Sequence, residues 1–146
     1  LFERYPEVAP SSIKLEVTET AIMLDLESAS RQLSELSAMG VKIALDDFGS
    51  GYASLAVLDQ LPIDILKVDR FFFIGLLQQP RRQQLVQGIL GLATKLGLST
   101  VVEGIEDEST LDFVREAGSK YAQGFYFSKP LAVQEFASRY FDNVTA

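Results

Sequence analysis

The sequence contains no histidine and no cysteine among its 146 residues. Without cysteine the chain can form neither disulfides nor thiolate metal sites, and without histidine it has no imidazole base or ligand. A metal bound by this chain would therefore be held by oxygen atoms, which favours Mg²⁺, Mn²⁺ or Ca²⁺ over Zn²⁺. The absence of cysteine also agrees with a cytoplasmic location, which we expect for this domain.

Long apolar runs are missing too. The longest, Phe71 to Leu77, is far shorter than the ~18 residues that cross a bilayer, and the first residues lack the pattern of a signal peptide. We expect no membrane span in this chain, while a longer parent protein can still be anchored through other domains. The net charge of -7 argues against duplex nucleic acid as a partner, but a small anion held through metal ions is compatible with it.

Helical and strand-like segments alternate along the chain. Three helical patterns end at a glycine, the usual left-handed cap, and a strand-like run follows each of Gly40, Gly97 and Gly118. The runs are short and mostly not alternating in polarity, as strands buried on both faces are. The predicted strands are Lys14 to Thr18, Lys42 to Asp46, Ile65 to Asp69, Thr100 to Glu103 and Ala122 to Tyr126.

Apolar spacing predicts the helices between these strands. Asp25 and Asp107 are each expected to cap the helix that follows them, and a short helix is expected around Leu55 to Leu58. Another helix is predicted to bury a leucine-rich face, made of Leu85, Ile89, Leu92 and Leu96.

This alternation implies parallel strands joined by right-handed crossovers, either in an open sheet or in a barrel. No Gly-x-Gly-x-x-Gly fingerprint follows the first strand, which disfavours a nucleotide-binding open sheet. The strands instead end in polar residues, as at the rim of a (β/α)8 barrel, which needs eight strands and ~250 residues. We therefore predict an α/β fold in which residues 1–146 form the C-terminal five strand/helix units of a single barrel domain, incomplete in this chain.

The paired carboxylates of Asp46 and Asp47 follow an apolar strand. Gly49 and Gly51 allow the chain to leave the strand there, so that both carboxylates can reach one site. Such a pair can bridge two divalent ions, with Asp46 shared and Asp47 directed to the second, and two ions roughly 4 Å apart assist phosphoryl displacement.

Other strand ends add to this candidate site. Glu16 would supply an oxygen to the first ion, and Glu103 either a ligand to the second ion or a base for the attacking water. Lys67 would orient the water or neutralise charge that grows on the phosphorus centre. The remaining polar residues at strand ends are Glu19, Asp69, Glu106 and Gln123.

Each of these residues also has a simpler interpretation. Asp47 or Glu106 alone could cap a helix, Lys67 alone could be a solvated lysine, and Gln123 alone a satisfied polar group. Glu16 is harder to explain this way, because strand interiors disfavour an unpaired carboxylate. Five consecutive polar strand ends together favour a functional site.

Five segments in order resemble the EAL domain, the phosphodiesterase family that acts on cyclic di-GMP. They cover nearly the whole chain and read "LEVTET", "IALDDFGSGYASL", "LPIDILKVDR", "GLSTVVEGIED" and "QGFYFSKPL". The resemblance implies a modified (β/α)8 barrel with one antiparallel strand. It also implies hydrolysis of cyclic di-GMP to linear pGpG with two ions of Mg²⁺ or Mn²⁺.

The resemblance assigns roles position by position. Glu16 and Asp46 correspond to ligands of the first metal, and Asp47 to a ligand of the second. Glu103 corresponds to the essential glutamate near the second metal and the water, and Lys67 to the catalytic lysine.

Supporting roles follow in the same way. Glu19 is similar to the glutamate that holds the loop after the paired aspartates, here Phe48 to Ser54, in its active shape. Asp69 and Glu106 match supporting positions, and Gln123 matches a substrate-binding position.

One departure from the family pattern is large. The Glu-Ala-Leu segment with its arginine, and the strand with the ligand asparagine, lie upstream of these motifs in the family and are not in these residues. We therefore expect the isolated chain to be inactive and to expose an unpaired strand edge, which a homodimer or a domain-exchanged oligomer would cover. The alternative is a non-catalytic EAL-like regulatory module that binds cyclic di-GMP or a protein.

Overall fold

The computed structural model describes residue 2, residues 4–49 and residues 55–141, with only the backbone described at 55–57. Within these ranges the strands are β1 (Lys14–Thr18), β2 (Lys42–Phe48), β3 (Ile65–Val68), β4 (Ser99–Val102) and β5 (Tyr121–Ala122). The helices in the same ranges are α1 (Glu19–Leu24), α2 (Leu26–Ala38), α3 (Leu55–Gln60), α4 (Pro80–Lys95), α5 (Glu108–Glu116) and α6 (Val133–Tyr140).

The five strands form one parallel sheet in the order in which they occur along the chain. This confirms the predicted α/β class and the parallel strands. The order contains no reversal, as in a barrel, whereas a doubly wound sheet reverses its strand order at a switch point. The register places Glu16 opposite Ala44, and Lys67 opposite Val101.

The sheet is strongly curved. The Lys14 ammonium on β1 lies 6.0 Å from the centroid of the Tyr121 ring on β5, although the outer strands of a flat five-stranded sheet are ~19 Å apart. The concave face encloses a cavity of about 270 Å³ that is lined by residues from all five strands. This curvature gives the sheet the shape of a partial barrel.

The convex face of the sheet carries the hydrophobic core. Ile43, Leu45 and Leu66 are at most 1% exposed and pack in a cluster with Leu33 of α2. A second cluster joins β3 and β4 to α4 and α5, and its fully buried members include Val68, Leu90, Val102 and Val114. The helices therefore cover one face of the sheet, and the charged residues Lys14, Glu16 and Lys67 lie on the other, concave face.

The predicted local signals at helix ends are confirmed. Asp25 and Asp107 cap α2 and α5, accepting hydrogen bonds from the Ser28 and Thr110 backbone N–H groups at 3.0 and 2.8 Å. The three glycines that were expected to end helices all have positive φ, and they are Gly40, Gly97 and Gly118. Helix α1 was not predicted; Thr18 caps it by accepting a hydrogen bond from the Ala21 N–H.

The predicted buried face of α4 is only partly right: Ile89 packs against both hydrophobic clusters, but the fully buried residues lie one position further along the helix. Leu85 and Leu96 are each 52% exposed, and the residues turned to the sheet are Val86, Leu90 and Ala93. Both stripes have helical spacing, so periodicity alone does not separate them. Leu85 and Leu96 are thus left on the exposed side of the helix.

The fifth strand is shorter than predicted. It covers only Tyr121–Ala122 instead of extending to Tyr126. The Gln123 carbonyl accepts a hydrogen bond from the Ile105 N–H at 3.1 Å, and the Tyr126 N–H donates to the Ile105 carbonyl at 3.0 Å. Contacts with the loop after β4 therefore replace strand pairing beyond Ala122.

Among the residues described, no helix has the length and apolar character needed to cross a bilayer.

Gly124 lies in close contact with the backbone of Ile105. A Cβ atom there would overlap the backbone of Ile105, and backbone cannot move aside as a side-chain end can. We expect Gly124→Ala to lower the free energy of unfolding by about 1–3 kcal/mol, measured by guanidinium denaturation. The control is Gly91→Ala in α4, where a Cβ meets no atom within 4 Å and where alanine should stabilise by about 0.5–1 kcal/mol. Equal effects of the two substitutions would contradict this interpretation.

Candidate active site

A buried lysine lies at the centre of the concave face. Lys67 on β3 is 7% exposed, and its ammonium nitrogen lies 2.7 Å from Glu16 Oε2 and 2.9 Å from Asp46 Oδ1. The same nitrogen lies 2.9 Å from Glu103 Oε1. We call these four residues the Lys67 cluster; they come from β1, β2, β3 and the residue that follows β4.

The strand pattern explains why these side chains meet. Alternate residues of a strand point to the same face, and paired residues of neighbouring parallel strands share a face. Glu16 is paired with Ala44, which is two residues before Asp46, and Lys67 is paired with Val101, which is two residues before Glu103. The Glu103 N–H donates to the Val68 carbonyl at 3.1 Å, which continues the pairing of β3 and β4 to the glutamate.

The contacts in this cluster favour the protonated form of Lys67. Burial by itself lowers the pKa of Lys67, but hydrogen bonds from its ammonium to Glu16, Glu103 and Asp46 outweigh that effect and raise the pKa above the ordinary value of 10.5. One ammonium among three carboxylates leaves a formal excess of negative charge. Such a site suits a further cation.

Asp47 occupies an irregular position in β2. Its φ of 56° is the only positive value at a non-glycine residue in the described ranges, and the register with β3 shifts between Leu45 and Phe48. The Asp47 N–H donates to Asp46 Oδ1 at 3.0 Å. The chain thus breaks its alternation at the paired aspartates, but β2 continues to Phe48 instead of ending at Asp46 as predicted, and Asp47 stays outside the Lys67 cluster.

The turn after the paired aspartates is packed against the next strand end. Gly49, with a φ of 92°, lies so close to the Phe72 ring that a Cβ atom would overlap it. Phe72 belongs to a 3₁₀ turn that begins after Asp69, whose Oδ1 accepts a hydrogen bond from the Phe71 N–H at 2.7 Å. The ends of β2 and β3 are therefore in direct contact.

Glu19 is buried, and its carboxylate has no hydrogen-bond partner in the described part of the chain. It is the first residue of α1 and is 2% exposed, and neither carboxylate oxygen has a partner among the described residues. A buried carboxylate is unfavourable unless it is hydrogen-bonded or paired. The loop that Glu19 is predicted to hold, Phe48 to Ser54, falls at residues 50–54 outside the described part of the chain.

The remaining predicted residues gather beside the Lys67 cluster. Asp69, Glu106 and Gln123 line a cavity of about 340 Å³ together with Glu103, which belongs to both groups. Arg70 lines the same cavity and was not predicted. The available signal was its place directly after Asp69, one residue further along the end of β3.

The donor atoms of the site decide which metal it could hold. The donors are carboxylate oxygens, which suit Mg²⁺ and Mn²⁺. In the described ranges, however, no three acidic side chains are arranged as a ligand cluster, since the Lys67 ammonium lies between Glu16, Asp46 and Glu103. The donor chemistry of Glu16, Asp46 and Glu103 therefore fits such an ion.

Fold and site together define part of a (β/α)-barrel domain with an acidic site at the carboxyl ends of its strands. The sequence profile of the EAL domain family matches residues 1–130. The chain belongs to the EAL domain family.

Relatives with assigned names support this placement. The cyclic di-GMP phosphodiesterase NbdA of Pseudomonas aeruginosa is 41% identical over 136 residues, which are 91% of this chain and 17% of NbdA. A structure of the MucR phosphodiesterase in complex with c-di-GMP is 38% identical, with a TM-score of 0.84 over 92% of this chain and 54% of that one. The chain thus spans about half of that solved structure and a smaller part of NbdA.

A further solved structure contains a metal. It is BlrP1 of Klebsiella pneumoniae in a manganese/cy-diGMP complex, 31% identical, with a TM-score of 0.80 over 85% of this chain and 32% of that one.

Proposed function

We propose that residues 1–146 are the C-terminal part of a single EAL-type domain that hydrolyses cyclic di-GMP to linear pGpG in the cytoplasm. The observation that carries this proposal is the meeting of Glu16, Asp46 and Glu103 around Lys67 at the strand ends. The relatives named as cyclic di-GMP phosphodiesterases supply the substrate.

The acidic residues would hold two divalent ions, Mg²⁺ or Mn²⁺, in the complete domain. Glu16 and Asp46 would hold the first, and Asp47 and Glu103 the second. Bound there, such ions supply a nucleophile near neutral pH and stabilise charge on the phosphate oxygens. The manganese in the related BlrP1 complex supports this assignment.

The chain's own residues carry the remaining steps. Glu103 accepts the proton of the attacking water. It contacts Lys67 and also lines the neighbouring cavity, so its carboxylate lies between the acidic cluster and the space for substrate. Lys67 offsets the negative charge that develops on the phosphorus centre. Gln123 holds the dinucleotide in the cavity, with Asp69 and Glu106 supporting it, and Glu19 keeps the loop after the paired aspartates in its active shape.

The first prediction of this proposal concerns Glu103 in the complete domain. Glu103→Gln removes the proton acceptor and keeps the shape of the side chain. We expect kcat to fall by about 10²–10⁴-fold, while the Kd for cyclic di-GMP changes by only a few-fold, measured by pGpG release and by calorimetry.

The matched control is Glu108→Gln, which makes the same charge change in the exposed first turn of α5. It should leave both quantities unchanged. Equal losses of binding and hydrolysis in Glu103→Gln would argue against the assigned role. Tight binding without hydrolysis by the unaltered domain would favour the non-catalytic receptor instead.

The second prediction concerns the chain by itself. Among the described residues β1 pairs only with β2, and Tyr121 on the concave face is 52% exposed. Exposed aromatic residues also line a cleft of about 590 Å³ near α6, and they include Phe125, Phe127, Phe136 and Tyr140. An open strand edge and large apolar surfaces favour association.

We expect the purified chain to be catalytically inactive, because these residues lack the Glu-Ala-Leu segment and the ligand asparagine. Because of its open strand edge and apolar surfaces, we also expect it to sediment as a homodimer or a larger, domain-exchanged oligomer. Sedimentation velocity measures this directly. A folded, stable monomer at micromolar concentration would refute the expectation.

A further inference from the structure

We propose that Arg70 and Gly104 are positioning residues for Glu103, acting through the contact between the ends of β3 and β4. Gly104 follows Glu103 directly and has a φ of 68°. A Cβ atom on Gly104 would overlap Arg70 Cβ and would lie 3.4 Å from Arg70 Cα. The two strand ends therefore approach as closely as a glycine allows. This inference rests on the proposed role of Glu103, and it adds what holds that residue in place.

The Arg70 side of the contact is rigid. Arg70 is the first residue of the 3₁₀ turn Arg70–Phe72, in which Asp69 Oδ1 accepts a hydrogen bond from the Phe71 N–H at 2.7 Å. The ring of the buried Phe72 packs against Gly49 after β2, which fixes the turn from the opposite side. A Cβ atom is bonded to the backbone, so it moves only with the turn, whereas the end of a long side chain can rotate to another rotamer.

The segment after β4 is also held on the side of β5. The Ile105 N–H donates to the Gln123 carbonyl at 3.1 Å. A Cβ atom on Gly124 would overlap the Ile105 backbone, so these two stretches of chain are in close contact as well. Residues 103–105 are therefore confined between the ends of β3 and β5, and a side chain added on the β3 side would displace them.

Glu103 depends on this confinement, because both of its contacts are short. Its N–H donates to the Val68 carbonyl at 3.1 Å, and its Oε1 lies 2.9 Å from the Lys67 ammonium. A displacement of the backbone at Gly104 would change both distances. Misplacing a catalytic group by about 1 Å can lower a rate about 10²-fold. The contact with Arg70 should therefore affect hydrolysis more strongly than binding.

Gly97 provides a matched control beside the same strand. It precedes β4 as Gly104 follows it, and its φ of 75° is also in the left-handed region. A Cβ atom on Gly97 meets no atom within 4 Å. Alanine is strained by a positive φ at either position, but only at Gly104 does its methyl group also meet a neighbour.

The experiment compares Gly104→Ala and Gly97→Ala in the complete domain. Release of pGpG gives kcat, calorimetry gives the Kd for cyclic di-GMP, and NMR gives hydrogen exchange at the Glu103 amide relative to the amides of β2. We expect Gly104→Ala to lower kcat about 10²-fold and to change Kd only a few-fold. Exchange at the Glu103 amide should become about 10-fold faster, as expected for the loss of one hydrogen bond. Gly97→Ala should leave all three quantities unchanged.

A second variant tests whether Arg70 is the responsible neighbour. Arg70→Gly removes the Cβ atom that the new methyl group would meet. In the Arg70→Gly background, Gly104→Ala should therefore lower kcat at least 10-fold less than in the unaltered background, because the two residues act through one contact. Comparison within each background cancels any effect of Arg70 on the substrate cavity. If Gly104→Ala alone does not fold, Arg70→Gly should restore folding.

Three results would overturn the inference and leave the proposed function standing. They are equal effects of Gly104→Ala and Gly97→Ala, an equal fall in kcat in both Arg70 backgrounds, and a double variant that stays unfolded. A lower kcat without faster exchange at the Glu103 amide would overturn it too, because the backbone would not have moved. Absence of hydrolysis by the unaltered domain would refute the proposed function, and the exchange rates would still decide whether Arg70 holds Glu103 in place.

Discussion

The contact of one ammonium with three carboxylates is the interaction on which the site depends. The Lys67 cluster joins β1, β2, β3 and the end of β4. Removing one member of a buried ion cluster leaves the other charges uncompensated, which is more unfavourable than losing an exposed ion pair. The cluster therefore ties the curvature of the sheet to the chemistry at its strand ends.

The two faces of the sheet have different roles: the convex face stabilises the fold, and the concave face carries the candidate site. The convex face is apolar and buried under helices, and its contacts in two hydrophobic clusters fix the strands. The concave face carries the charged residues, and side chains of β1 and β5 meet there. Because the apolar contacts lie on the convex face, the concave face can hold charge that a core would not tolerate.

Local signals were sufficient to predict part of this structure. The strand Lys14–Thr18 and the caps at Asp25 and Asp107 follow from short-range patterns and hydrogen bonds. The buried face of α4 and the early end of β5 depend on contacts with other elements, so periodicity could not give them. Polar strand ends predicted which residues would gather, but the central place of Lys67 required the register of β3. The metal and catalytic roles of these residues stay predictions.

The most direct test of this arrangement is a double-mutant cycle between Lys67 and Glu103 in the metal-free chain. The free energy of unfolding is measured for Lys67→Met, for Glu103→Gln and for the double variant. If the ammonium and the carboxylate stabilise each other in the folded state, the double variant loses less stability than the two single losses combined, by about 0.5–3 kcal/mol. Losses that add to within about 0.3–0.5 kcal/mol would contradict the central role of Lys67.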